Sequence, residues 1–303
     1  MLGKFLDPKN DVAFRKVFGT EKNQDILIRL LNDVIIFQEN RPITKVTFLK
    51  TVQAPDIDYK KTSIVDILCE DDLGYKYIVQ IKAAGTSGFE KNAECYASKA
   101  FCCQIHVGGA YHNLKEVIFL AITDYIMFPE KPEYKSDHIR LDKKTLDPNL
   151  KDFSYTFIEL PKFTKTANEL NTRAEKWCHF FKHEDNFSSE DLKTLLRNDE
   201  ILERAYRELD RFSWTPQELL YYEQAEKAKN DYLSSLMQSR LEGIAEGKAL
   251  GASIDLGEAK KERERERERE IYMARKMIQS EFPLEEIAKY TGLTIEEIKN
   301  LKL

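Results

Sequence analysis

Apolar and polar positions along this chain fall into stretches of distinct period. Val12, Phe14, Val17 and Phe18, then Ile26, Leu27, Leu30, Leu31 and Val34, recur at helical spacing with Gly19-Thr20 between them. Two short helices, or one broken one, are expected there. Ile43 to Thr51, ITKVTFLKT, alternates as a strand does. From Ser63 to Lys82 two apolar runs flank Asp72-Leu73-Gly74. A three-residue hairpin loop with Gly74 in the left-handed conformation fits, and with the preceding strand it makes a three-stranded meander. Phe89, Ala93, Tyr96, Ala100 and Cys103 form one apolar stripe of a long helix from about Phe89 to Val107, which Gly108-Gly109 stops. Glu116 to Thr123 is continuously apolar, as a strand covered on both faces is, and Phe153 to Leu160 supplies another strand. The pattern gives an α/β fold, a mixed β-sheet flanked by helices. The long stretch between the last two strands reads as an exposed lid or a partly ordered insertion.

Beyond the sheet the period is helical only. Asn168 to Lys182 is one helix, and Leu192 to Leu241 is helical, polar and spotted with Trp214, Tyr221, Tyr222 and Tyr232. Gly243, Gly247, Gly251 and Gly257 dilute helix propensity and mark a flexible or intermittently helical spacer. Glu262 to Glu270, ERERERERE, alternates in sign and reads as a solvated helix whose charges balance. Near the end, Pro283 starts a helix and Thr294 with Glu297 forms a capping box, in an arrangement like a helix-turn-helix. Glu296 and Glu297 occupy the turn where base-contacting residues would sit, which favours packing or dimerisation over DNA reading. The expected organisation is residues 1–185 as the α/β domain, 186–250 as a helical extension, and 251–303 as the charged helix with its helix-turn-helix-like element.

Composition changes this picture little. The 303 residues are 42% hydrophobic and 33% charged, with net charge −5 and pI near 5.8. One sizeable core and a smaller second unit are affordable at this length. Any nucleic-acid contact must be a local basic patch, since the chain as a whole is acidic. Five cysteines, Cys69, Cys95, Cys102, Cys103 and Cys178, lie mostly in apolar runs without zinc-site spacing, and read as reduced core residues. His179 and His183 make an i, i+4 pair without a third ligand, read as surface. The N-terminal stretch lacks a secretory h-region and no run of about 18 apolar residues occurs. No membrane association and a cytoplasmic location are the expectation.

Candidate chemistry concentrates in the hairpin. Asp66 interrupts its first apolar run, and Gln80 and Lys82 end its second. Gln80 and Lys82, two apart, share a face. The three-residue loop sets a register that puts Asp66 opposite Gln80, so that all three converge. A carboxylate, an amide oxygen and an ammonium together can hold a hard cation such as Mg²⁺ or Mn²⁺ and a phosphate. The same spacing also describes an ordinary edge hairpin with three polar side chains in water.

Asp66 followed by Gln80-Ile81-Lys82 resembles the site of the PD-(D/E)XK nuclease superfamily, and the surrounding residues resemble its recombination-promoting nuclease branch, also labelled transposase. The resemblance is carried by Asn10 to Gly19 (NDVAFRKVFG), Val65-Asp66, Tyr77-Ile78-Val79, then Tyr96, Ser98, Lys99, Gln104, Gly108 and Tyr111, and continues through Trp177, Phe180, Phe181 and Lys182. It implies a restriction-endonuclease-like sheet domain followed by an all-α C-terminal region. It implies Asp66, Gln80 and Lys82 as catalytic residues, with Asp66 and Gln80 on the metal. Lys99 and Gln104 would lie near the mouth and steady substrate phosphates, or else be two solvated polar residues. Asp11 or Glu21, on the first helix, would assist, though Asp11 also reads as a helix cap. The family usually has Glu-Met-Gln where this chain has Gln80-Ile81-Lys82, and Arg where it has Asn92. One metal-binding carboxylate is thus replaced by a neutral amide, while Lys82 restores the superfamily lysine.

These residues imply a Mg²⁺-dependent DNA endonuclease associated with recombination or transposition, paired as a homodimer through its C-terminal helices. The alternative is a weakened relic that binds DNA or a protein partner without cutting.

Overall fold

The apolar runs on either side of Asp72 meet in the centre of a sheet. In the computed structural model, residues 4–37, 41–50, 52–53, 63–83, 85, 88–105, 109–182, 195–196, 199–279 and 282–301 are described. Strands β1 (Val46–Phe48), β4 (Ile67–Asp71), β5 (Lys76–Lys82), β6 (Val117–Thr123), β7 (Lys135–Ile139) and β8 (Phe153–Glu159) form a six-stranded sheet in the order β1-β4-β5-β6-β8-β7. Strands β2 (Val52–Gln53) and β3 (Ser63–Ile64) pair separately. The meander β1-β4-β5 is antiparallel, as expected, and β5, β6 and β8 run parallel. The hairpin closes through Asp72-Leu73-Gly74: Asp71 N donates to Tyr75 O and Gly74 N to Asp71 O, both at 3.1 Å, with Gly74 at φ +87°. Glycine adopts that left-handed conformation without the steric cost a Cβ brings.

Helix α1 (Asp11–Phe18) and helix α2 (Gln24–Val34) bury Phe14, Val17, Phe18, Ile26, Leu27, Leu30 and Leu31 in the core on one sheet face. Helix α4 (Arg173–Lys182) adds Trp177, Phe180 and Phe181 to the same core. Helix α3 (Phe89–Cys102) covers the other face, where Phe89, Ala93, Ala97 and Ala100 pack with Phe119, Tyr155 and Phe157. It carries the chain from β5 to its parallel neighbour β6, as such a connection must.

Several expectations are corrected here. Helix α3 ends at Cys102, before Val107, and Cys95, Cys102 and Cys103 are exposed; only Cys69 and Cys178 are core residues. The stretch after Thr123 contains strand β7, whose sequence KSDHI lacks an apolar run because it lies at the sheet edge, half in water, and is held by β8. His179 is buried, not surface, and His183 lies outside the described residues.

The chain divides into two compact units, Met1–Asp231 and Tyr232–Leu303. Helix α5 (Glu200–Glu208) and the first turns of helix α6 (Pro216–Gln279) belong to the first unit, because Leu202, Ala205, Tyr206, Leu209, Trp214 and Tyr222 share its main core. Helix α6 also runs unbroken through its four glycines, where a spacer was expected. Each glycine costs about 1 kcal/mol relative to alanine, but the Leu, Glu, Lys and Arg around them are strong helix formers. Glu262 to Glu270 is helical and almost wholly exposed, as its balanced charges imply. In the second unit, helix α7 (Leu284–Thr291) and helix α8 (Ile295–Asn300) join the end of α6 around Ala274, Ile287, Leu293 and Ile298. The Thr294–Glu297 capping box is present.

Candidate active site

The parallel strands β5, β6 and β8 end level with one another, with Lys82 beside Thr123 and Thr123 beside Glu159. In sheets with parallel strands the carboxyl ends are the usual place for ligands, because the connecting loops diverge there. Asp66 lies at this end, in the break between β3 and β4. The β4–β5 register runs from Glu70↔Lys76 to Ile67↔Val79, and Asp66 is the residue just beyond its last pair. The chain bends at Asp66 instead of continuing the ladder, and its Oδ2 accepts the Ile81 N–H at 2.9 Å. The carboxylate thus satisfies a backbone donor that the interrupted strand leaves without a partner.

Asp66 is 7% exposed, and burial pushes its carboxyl above the ordinary range. The Lys82 ammonium and the Ile81 N–H oppose that rise, Asp11 adds to it, and Arg15 opposes it. The Arg15 Nη2 stands 3.8 Å from Asp66 Oδ1, with its own side chain half exposed. Tyr96 on α3 is near enough to feel the Asp66 charge, which, after burial and Cys95, raises its phenol. The end of the sheet is therefore bracketed by α1 on one face and α3 on the other.

Gln80, on the same face of β5 as Lys82, is 1% exposed, and among the described residues its Oε1 has no hydrogen-bond partner. An amide oxygen left so costs about 1–3 kcal/mol. Together with the Asp66 carboxylate it suits a hard divalent cation, which takes one or two carboxylates and fills its remaining positions with water and phosphate oxygens. Among the described residues no three His, Cys, Asp or Glu side chains converge to hold a metal.

The other expected residues divide. Lys99 lies one turn beyond Tyr96 on α3. Gln104 is not brought to Asp66: its Oε1 accepts from Lys115 N at 3.0 Å and its Nε2 donates to Lys115 O at 2.9 Å, and it lines a hollow with Leu73 and Gly74 at the turn end of the hairpin. Strand β5 alone separates the two ends by about 20 Å. Asp11 does not cap α1. Asn10 does, its Oδ1 accepting from Val12 N at 2.9 Å and Ala13 N at 3.4 Å. Asp11 is an exposed first-turn residue that faces the site electrostatically. Glu21 begins a short 3₁₀ turn after α1. Sequence reasoning passed over Arg15, although it stands four residues after Asp11 and so shares its helix face.

No curated protein and no solved structure matches this chain. A family model does: the PD-(D/E)XK nuclease family transposase matches residues 8–239, from the entry to α1 across the whole sheet and into α6. The match covers well over half of the sequence and takes in Asp66, Gln80 and Lys82. With the mixed sheet and its flanking helices, it establishes that the chain belongs to the PD-(D/E)XK nuclease family transposases.

Proposed function

We propose that this chain is a divalent-metal-dependent DNA endonuclease acting in recombination or transposition. The observation that carries the reading is the pair formed by a buried Asp66 carboxylate and a buried Gln80 Oε1 without a partner among the described residues, at the carboxyl ends of the sheet beside Lys82. Asp66 and Gln80 would hold Mg²⁺ or Mn²⁺, which when bound supplies Lewis-acid polarisation of the scissile phosphate. Lys82 orients the attacking water and stabilises negative charge as the new P–O bond forms and the old one breaks. Arg15 and Lys99 would steady non-bridging phosphate oxygens, and Asp11 would add a second carboxylate's charge to the site. Gln104 has no part, its amide being used on Lys115.

Supercoiled plasmid with Mg²⁺ or Mn²⁺ tests this. The parent should nick it, and Asp66→Ala should not. Equal activity in both would mean that the cleavage comes from a contaminant.

The second reading, a relic that binds without cutting, is favoured by one observation: a neutral amide stands where a second carboxylate would. Neither the parent nor Gln80→Glu cutting under any divalent ion, while both retain DNA, would establish it.

The partner is DNA, and a second copy of the chain would pair along the exposed stripe Leu233, Leu236, Met237, Leu241 and Ile244 of α6, which sedimentation would show as a dimer. Among the described residues no helix is long and apolar enough to cross a membrane. Our reading places the protein in the cytoplasm.

A further inference from the structure

Helix α1 has only eight residues, yet it brings both Asp11 and Arg15 toward Asp66. A helix that short is not held by its own hydrogen bonds, so its placement depends on what grips it. Asn10 is gripped most. It is 3% exposed and both ends of its amide are engaged. The oxygen caps α1, while Nδ2 donates to Tyr222 O at 3.2 Å and to Glu226 Oε1 at 2.8 Å. A cap alone could be aspartate, serine or threonine. Asparagine caps with its oxygen while its amide nitrogen donates twice, to Tyr222 O and Glu226 Oε1, which aspartate cannot do and the single proton of a serine or threonine hydroxyl cannot match.

Further ties run the same way. Asp7 N donates to Tyr222 Oη at 3.0 Å, and Lys16 pairs with Glu218 at 2.6 Å and lies over the Trp214 ring. On the opposite side Lys9 pairs with Asp124 at 2.9 Å, and Asp124 N donates to Lys82 O at 2.8 Å, at the sheet end itself. The entry to α1 is therefore fixed at once to the strand end that carries Lys82 and to the start of α6. The family match does not stop after the last strand but continues through Tyr222 and Glu226.

We propose that Asn10 is a positioning residue of the active site, and that Tyr222 and Glu226 on α6 act through it to hold α1 with Asp11 and Arg15 facing Asp66. The start of the C-terminal helix is then part of the catalytic framework. This rests on the nuclease reading for its consequence in cleavage, but not for the clamp itself.

Two variants and two measurements test it. Asn10→Asp keeps the capping oxygen and sets a carboxylate against Glu226. Asn10→Asp with Glu226→Gln restores a donor and acceptor across the same gap with reversed polarity. In full-length protein, Asn10→Asp should lower kcat on supercoiled plasmid with Mn²⁺ about tenfold while leaving KM within about twofold, since misplacement of site groups acts on the reacting geometry. It should also speed amide exchange of Phe14 to Phe18. The double variant should recover kcat to within about threefold of the parent and restore exchange protection, as coupled neighbours do. Unchanged kcat and exchange in Asn10→Asp, or a loss that Glu226→Gln does not recover, would overturn the proposal. If the parent does not cut at all, the nuclease reading fails and the exchange measurement alone decides the clamp: faster exchange that the second substitution reverses supports it, and no change overturns it.

Discussion

Asp66 is held where its own charge is disfavoured. Burial is the largest influence on its carboxyl and raises it, and Lys82, Ile81 N–H and Arg15 do not fully offset that. A carboxyl raised in the folded state contributes stability below its unfolded value and loses that contribution as pH rises through the folded value. At neutral pH, without a cation, Asp66 is therefore a cost. Asp66→Asn should raise the metal-free unfolding midpoint at pH 7 and abolish cleavage. The gain should shrink as pH falls and Asp66 itself takes up its proton, and calorimetry at neutral and at acid pH checks both halves. A proton and a cation compete for the same oxygens, so the metal concentration for half-maximal nicking should climb as pH falls from 8 to 6. Gln80→Glu should lower that concentration, because an ionised oxygen binds a hard cation better than an amide oxygen does. If the parent already cuts at low metal and the variant brings no improvement, Gln-x-Lys is a working arrangement in its own right. At this scale the sequence was legible wherever strand alternation applied. The hairpin loop and the register that carries β4 and β5 to Ile67 and Val79 follow from period 2 and a glycine. Arg15 and Tyr96 reach the site from helices on opposite faces, and no local period encodes how two helices straddle a sheet end.

Helix ends and strand edges were where local pattern misled. Asp7, Asn10 and Asp11 are all plausible caps by type, and only the dihedrals distinguish them: Asn10 is extended, at φ −71° and ψ 131°, and Asp11 is already helical. Asn10→Ala should accordingly cost about 1–2 kcal/mol in urea unfolding, since it also strands Glu226. Asp11→Ala removes a favourable first-turn charge worth about 0.3–1 kcal/mol and should cost less. The reverse order would mean that Asp11 is the cap in solution. Strand β7 was illegible because an edge strand with one side in water needs no apolar run, and β8 supplies its pairing. The glycines of α6 misled in the opposite direction, propensity being only a weak prior against strong neighbours. Gly74 was legible, and Gly74→Ala, forced to φ +87°, should lower stability by about 1–2 kcal/mol without touching the site some 20 Å away.

The sheet domain looks self-sufficient in sequence, yet its core is completed from beyond residue 185. Leu202, Ala205, Tyr206, Leu209, Trp214 and Tyr222 complete the packing around α1, α2 and α4. The N-terminal segment is threaded into that addition: Leu6 N donates to Leu209 O at 2.9 Å and Arg211 N to Lys4 O at 3.0 Å. The masking effect is physical, since α5 and the start of α6 are amphipathic like any surface helix, and amphipathicity names a buried face without naming what buries it. Shortened chains distinguish the two boundaries. Ending at Asp231 keeps every residue of the main core and should leave cooperative unfolding and divalent-dependent nicking intact. Ending at Lys182 removes Leu202, Tyr206, Leu209, Trp214 and Tyr222, each worth about 1.5–3 kcal/mol on burial, a total that rivals the whole stability of roughly 5–15 kcal/mol available to a domain. That shorter chain should fail to unfold cooperatively and should bind hydrophobic dyes. A cooperative, active chain ending at Lys182 would show that α5 and the start of α6 decorate the nuclease fold instead of completing it.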